Sequence, residues 1–225
     1  MTRKHYYVTG LLLTAAILLV TIAVYPQLPD QIPRRWDFDG NVHVYHTPKR
    51  DLFVSGPGLM AGFLLLGWIL SRLPRKQRPG VKPLDKNSTG IFFVVQLGLL
   101  GLLAYIHILV LAGALGDPVN MARATGLGIS LFLLLQGNVM GKVRRNVWFG
   151  IQTRWTLSDE RVWNATQRVA GKTIFTAGIL GLVFYALGAA ILLTVLFWAA
   201  FVAAFAIPHV YSWRLAKRLA QHRQI

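Results

Sequence analysis

From Thr173 to Trp213 the chain runs 41 residues without a lysine, arginine, aspartate or glutamate. At about 1.5 Å of rise per residue, one helix over that stretch would be roughly 60 Å long, about twice the ~30 Å hydrocarbon layer of a bilayer. The tract therefore reads as two membrane-crossing helices with a break near Leu187 to Ala190. Four more apolar runs precede it: Val8 to Tyr25, Phe53 to Leu70, Thr89 to about Leu115, and Ala124 to Gly141. The expected fold is all-α, a polytopic membrane bundle of six transmembrane helices. The first run resembles a secretory signal, but it is longer than a usual apolar signal core. No small-x-small cleavage site precedes Pro26, so it reads as an uncleaved span.

Charge gives the orientation. The chain has 24 Lys and Arg against 8 Asp and Glu, a formal charge of +16 that in a soluble protein would suggest nucleic acid. Nineteen of the 24 lie in the N-terminus, in Arg72 to Lys86, in Lys142 to Lys172 and after Trp213; five lie in the loop 26–52 and at Arg123. Positive residues are retained on the cytoplasmic side, which predicts both termini in the cytoplasm of a multi-pass protein of the inner (plasma) membrane. The excess charge then faces anionic membrane lipids, and no direct nucleic-acid partner is implied. The chain divides into an N-terminal two-span unit 1–72 with an extracytoplasmic loop 26–52, a basic cytoplasmic linker 73–88, and a four-span unit 89–225 with a cytoplasmic interfacial segment 142–172.

The outer loop carries Pro26, Pro29, Pro33 and Pro48, which lack amide donors and disfavour a long helix. Its "DFDG" reads as a turn and "NVHVYH" as a short strand. His43 and His46 have metal-ligand spacing, but a solvated loop pair is the commoner outcome, and no metal is assigned. The inner segment begins with Lys142, Arg144 and Arg145 and continues with Trp148, Phe149 and Ile151, side chains that partition at an interface. Ser158 reads as the N-cap of a short interfacial helix, with Asp159 and Glu160 in its first turn and Val162, Trp163, Thr166 and Val169 on one side. Physics alone favours a mere connector whose aromatics anchor it at the membrane surface.

The segment also resembles a family signature. Gly137, Asn138, Asn146, Gly150, Ile151, Thr153, Trp155, Thr156, Leu157, Trp163 and Thr166 match the SdpI family of bacterial membrane proteins, with Gln152 in place of the usual arginine, Arg154 of proline and Gln167 of histidine. In the outer loop Leu28, Pro29, Asp30, Ile32, Pro33, Trp36 and Gly40 resemble the pattern of a domain of unknown function that often precedes that signature. The resemblance implies a non-enzymatic immunity protein and signal receptor without a cofactor. Its implied partners are a secreted peptide toxin at the outer loop and a transcriptional repressor at the inner segment. Trp155, Thr156, Leu157 and Trp163 would form the inner docking surface, with Asn138 and Asn146 tying the segment to the fourth span.

Two other classes compete. A small-solute or lipid transporter of flippase type is motivated by Gln96, His107, Gln136 and Asn138 in or near the spans, although interhelical hydrogen bonding is the simpler account. No span carries Asp, Glu, Lys or Arg in its middle, which argues against ion-driven transport. An enzyme would have only Asp159, Glu160 and His209 as acid or base, and no P-loop, zinc-protease motif or nucleophile elbow is present. Gly58 with Gly62, and Gly137 with Gly141, are small-residue spacings that permit close helix contact.

Overall fold

A computed structural model describes residues 2–37, 42–72, 86–188 and 190–221. Helix α1 (Arg3–Val24) is capped by Thr2, whose hydroxyl accepts the His5 amide at 3.3 Å. A single 3-10 turn, Tyr25–Gln27, follows and begins at the first proline. The chain then forms β1 (Gln31–Trp36) and β2 (Val42–Pro48), paired antiparallel with Ile32 opposite Thr47 and Pro33 opposite Tyr45. The bundle is thus not purely helical. The register shifts between Ile32 and Pro33 and again after Pro33, as expected where a proline cannot donate to the ladder. The turn read at "DFDG" runs into residues 38–41, outside the described residues, as do Gly40 and the side chains of His43 and His46.

Helix α2 (Asp51–Phe53) passes through a π turn, Val54–Gly58, into α3 (Leu59–Arg72). Pro57 lies inside the π turn, where its missing amide donor interrupts the regular helical ladder. Most of the basic linker lies outside the described residues. Then come α4 (Lys86–Ala114), α5 (Met121–Met140), the short α6 (Arg154–Ser158), α7 (Glu160–Ala186) and α8 (Ile191–Gln221). The long apolar tract does break where length requires: α7 ends at Ala186 and α8 starts at Ile191. Arg123 of α5 donates to the Ala186 carbonyl at 3.0 Å, which satisfies an acceptor left open at the end of α7.

Five stretches among the described residues are long and apolar enough to cross a membrane: Arg3–Gln27, Asp51–Ile69, Ser88–Ala114, Glu160–Ala186 and Ile191–Gln221. The expected fourth span is not among them. It forms as the 20-residue helix α5, but Arg123, Gln136 and Asn138 dilute its apolar content. The inner segment also differs from expectation. No separate interfacial helix follows Asp159, because residues 160–172 are the first turns of the continuous helix α7.

The packing forms two groups. Tyr6, Ile17, Met60, Leu64, Phe93, Leu100 and Ala104 join α1, α3 and α4, whereas Leu133, Met140, Ala170, Ile174, Tyr185, Phe197 and Ala204 join α5, α7 and α8. Helix α4 packs against α1 on one side and α5 on the other, where the Tyr105 hydroxyl donates to the Ala124 carbonyl at 3.0 Å. Inside the first group His107 Nε2 meets the Thr21 hydroxyl at 2.9 Å, an interhelical bond between α4 and α1. In the second group α5 and α7 approach backbone to backbone. A Cβ added at Gly137 would lie 2.5 Å from the Phe175 amide nitrogen, and one added at Gly171 would lie 3.0 Å from the Gly137 carbonyl oxygen. Of the glycine pairs read from the sequence, Gly137 serves helix contact, while a Cβ at Gly62 would meet nothing within 4 Å.

Helix α8 contains Pro208, which has no amide to give the Ala204 carbonyl four residues earlier. Thr173 of α7 supplies the missing donor, its hydroxyl lying 2.8 Å from the Ala204 oxygen. An unpaired carbonyl in the buried interior costs about 1–3 kcal/mol. Thr173→Val should therefore lower the melting temperature of the detergent-solubilised protein, and Pro208→Ala in that background should restore it. Gly137→Val, an overpacking change expected to cost about 1–3 kcal/mol or more, should lower the melting temperature while Gly62→Ala leaves it unchanged.

Candidate functional site

The segment joining α5 to α7 is a knot of buried polar side chains that bond to its own backbone. Asn146 lies at its centre, 1% exposed. Its Oδ1 accepts the amides of Trp148 at 2.7 Å and Phe149 at 2.8 Å, and its Nδ2 donates to the carbonyls of Arg144 at 2.8 Å and Phe149 at 3.1 Å. Every hydrogen-bonding site of the amide is used. Asn146 thus shapes the loop and does not tie it to α5. Asn138 is exposed and makes no side-chain hydrogen bond among the described residues.

Three contacts fasten the loop to the helices. The Trp163 indole, fully buried on α7, donates through Nε1 to the Val143 carbonyl at 2.8 Å. Gln167, one turn along α7 and equally buried, grips Ile151 from both sides: its Oε1 accepts the amide at 3.0 Å and its Nε2 donates to the carbonyl at 3.1 Å. The Ser88 hydroxyl of α4 accepts the Arg144 amide at 3.1 Å. Gly150 allows the loop to lie this close. Its φ is +116°, and a Cβ there would lie 3.0 Å from the Gln167 amide oxygen and 3.1 Å from the Trp163 ring.

The next turn is set by threonines. Thr153 caps α6, accepting the Thr156 amide at 3.1 Å, while Thr156 accepts the Thr153 amide at 2.8 Å to close a reciprocal capping box. The Thr156 hydroxyl also lies 2.9 Å from the Ile151 carbonyl. Thr153 and Ser212 hydroxyls meet at 3.2 Å, joining the turn to α8. The N-cap of α7 is Asp159 and not Ser158: Asp159 accepts the Arg161 amide at 2.8 Å, whereas Ser158 closes α6. The carboxylate fits better there because negative charge is favoured at a helix N-terminus.

Of the residues read as a docking surface, Thr156, Trp163 and Thr166 are fully buried and cannot be touched by a partner without unfolding the knot. The Thr166 hydroxyl has no hydrogen-bond partner among the described residues. Trp155 and Leu157 are half-buried. Trp155 lies under the Arg154 guanidinium at 4.7 Å from the ring centre, and the Leu157 carbonyl accepts Arg145 at 3.3 Å. Trp155, with Arg145, Glu160 and Val162, borders a cleft of about 660 Å³ closed on its other side by Ala216, Leu219 and Ala220 of α8. Nothing in the sequence marked the contribution of α8 to this cleft. Gln167 was noted as a departure from the signature; nothing in the sequence marked it as the clamp on Ile151.

The outer hairpin has its own anchor. Leu28 and Ile32 are buried against Leu52 and against Leu111 and Ala114 of α4. Lys49 gathers the base: its amide donates to the Asp30 carbonyl at 3.0 Å, its Nζ lies 3.2 Å from the Leu28 carbonyl and 3.1 Å from the Asp30 carboxylate, and it stands 5.1 Å from the Tyr25 ring centre. The Asp30 carboxylate is 94% exposed, so the backbone bonds matter more than the ion pair. Pro29 and Asp30 are exposed, Pro33 is buried and Trp36 is half-buried. Among the described residues no group of three His, Asp or Glu side chains gathers to hold a metal.

Asn146, Trp163 and Gln167 spend their side-chain bonds on backbone groups of the loop, which makes them its scaffold. Gln167→Leu should orphan the Ile151 amide at about 1–3 kcal/mol, while the Ile151 carbonyl keeps the Thr156 hydroxyl. Gln167→His should cost less, because a neutral imidazole has one donor and one acceptor on different sides of the ring and can satisfy only one of the two groups. Thermal melts of the three proteins should rank wild type, histidine, leucine from most to least stable.

Comparison with known proteins follows the same two regions. Residues 142–212 match the SdpI/YfhL protein family. Residues 12–49 match a domain of unknown function, DUF1648. Immunity protein SdpI of Bacillus subtilis (strain 168) is 27% identical over 173 residues, which are 77% of this chain and 78% of that protein. No solved structure matches the chain. The knot around Asn146, Trp163 and Gln167 thus lies in the stretch that matches the SdpI/YfhL family, and the hairpin lies in the stretch that matches DUF1648.

Proposed function

We infer that the protein is an integral membrane immunity protein and signal receptor of the SdpI type, resident in the inner (plasma) membrane and non-enzymatic. In this reading α5 crosses the membrane as a sixth span, both termini are cytoplasmic, the hairpin faces outward and the knot faces inward. The observation that carries the proposal is the similarity to an immunity protein along 77% of this chain and 78% of that one, beside the family matches at 12–49 and 142–212.

The hairpin then meets a secreted peptide toxin through its exposed Pro29 and Asp30 and half-buried Trp36, and the cleft beside Trp155 receives a cytoplasmic partner, a transcriptional repressor. The buried members Asn146, Thr156, Trp163 and Thr166 hold that cleft in shape. The partner touches Trp155, Leu157 and the facing residues of α8.

The test is to express the chain in a Bacillus subtilis strain that lacks its own SdpI and expose it to the medium of its toxin-producing parent. Survival above that of cells carrying the empty vector is expected, and equal killing would remove the assignment. Trp155→Ala should abolish capture of the cytoplasmic partner by cross-linking in living cells while leaving membrane insertion and melting temperature unchanged. Trp163→Ala should lower the melting temperature as well, because a buried Trp→Ala change costs about 3–5 kcal/mol.

A further inference from the structure

At the hairpin end of the bundle α4 and α8 leave a gap over α5. Ala122 and Ile129 of α5 form the floor of a groove, Ile106 of α4 stands on one side, Thr194 and Trp198 of α8 stand on the other, and Trp36 at the end of β1 roofs it. The space is about 620 Å³. Protein interiors are close-packed, and voids much larger than a water molecule are few. Water fills such a space only where each molecule finds two to four polar partners, and this lining is mostly hydrocarbon.

The groove opens onto the apolar belt of the helices that form it. Beside Trp198, α8 turns Leu192 and Val195 outward, and beside Ile106, α4 turns Ile108 outward. The groove is therefore continuous with the surface these membrane-crossing helices present to lipid. From Met121 to Ile129 its floor spans about 12 Å at ~1.5 Å per residue, close to the ~15 Å depth of one leaflet of a ~30 Å hydrocarbon layer. Trp36 and Trp198 are residues of the kind that settle at membrane interfaces.

We propose that this groove is a lipid site that holds one acyl chain of a phospholipid from the leaflet nearer the hairpin. The chain fills the space between α4 and α8, lies on α5, and makes lipid part of the seat on which Trp36 rests. The proposal requires only that the helices lie in a membrane, and it is independent of what the hairpin or the inner cleft binds.

The test uses the full chain in vesicles of phosphatidylethanolamine and phosphatidylglycerol doped with a phosphatidylcholine that carries a diazirine on one acyl chain. After irradiation, adducts mapped by mass spectrometry should concentrate on Ile106 and Ile129 over the outward-facing Leu192 and Ile108. Ile129→Trp and Ala122→Trp, each filling the groove, should remove that concentration in protein that remains folded and monodisperse. Leu19→Trp, on the outward face of α1, should leave it intact. Even labelling of all outward-facing apolar residues in the unsubstituted protein would overturn the proposal. So would labelling unchanged by both groove tryptophans, or labelling displaced by an added apolar peptide and not by excess unlabelled phospholipid.

Discussion

A carbonyl or amide in a layer without water must find its partner within the protein, at a cost of several kcal/mol if it does not. The structure answers that constraint at several places where the helical ladder fails. Thr173 serves the carbonyl that Pro208 cannot, and Arg123 serves the end of α7. Where the chain leaves the helices between α5 and α6, Asn146 takes over four backbone groups and Gln167 two more. An irregular stretch can sit against membrane helices because its polar groups are answered from within.

This explains the character of the signature segment. Its most distinctive residues are inside, where Thr156, Trp163, Thr166 and Gln167 are fully buried. They fix the backbone that presents Trp155 at the edge of the cleft. The close approach of α5 and α7 through Gly137 and Gly171 supports that arrangement from below, since it fixes the distance across which Trp163 reaches Val143.

Helix α4 contacts both functional ends. Leu111 and Ala114 form part of the bed for the hairpin, and Ser88 accepts the amide of Arg144 in the knot. Phe92, near the same end, stands edge-on to Trp148 and Phe149, and neighbouring Phe93 stacks on Tyr6 of α1 at 4.9 Å. A helix whose two ends are packed into both sites gives the hairpin and the knot a common rigid member.

Much of this was legible in the chain. Apolar run lengths located the helices and the break in the long tract, because hydrocarbon thickness sets helix length. Proline content excluded a long helix from the hairpin region, and the signature residues located the inner segment. Three-dimensional packing decided the rest. The sequence could not reveal that Asp159 and not Ser158 caps α7, that α7 runs unbroken from Glu160 to Ala186, or that α4 packs against both α1 and α5. Nor could it show that Gln167 clamps Ile151, that Trp163 is interior, or that α8 closes the cleft. The physical reason is that periodicity and composition report which solvent a segment faces, whereas each of these features depends on which particular groups come within bonding distance once the helices have packed.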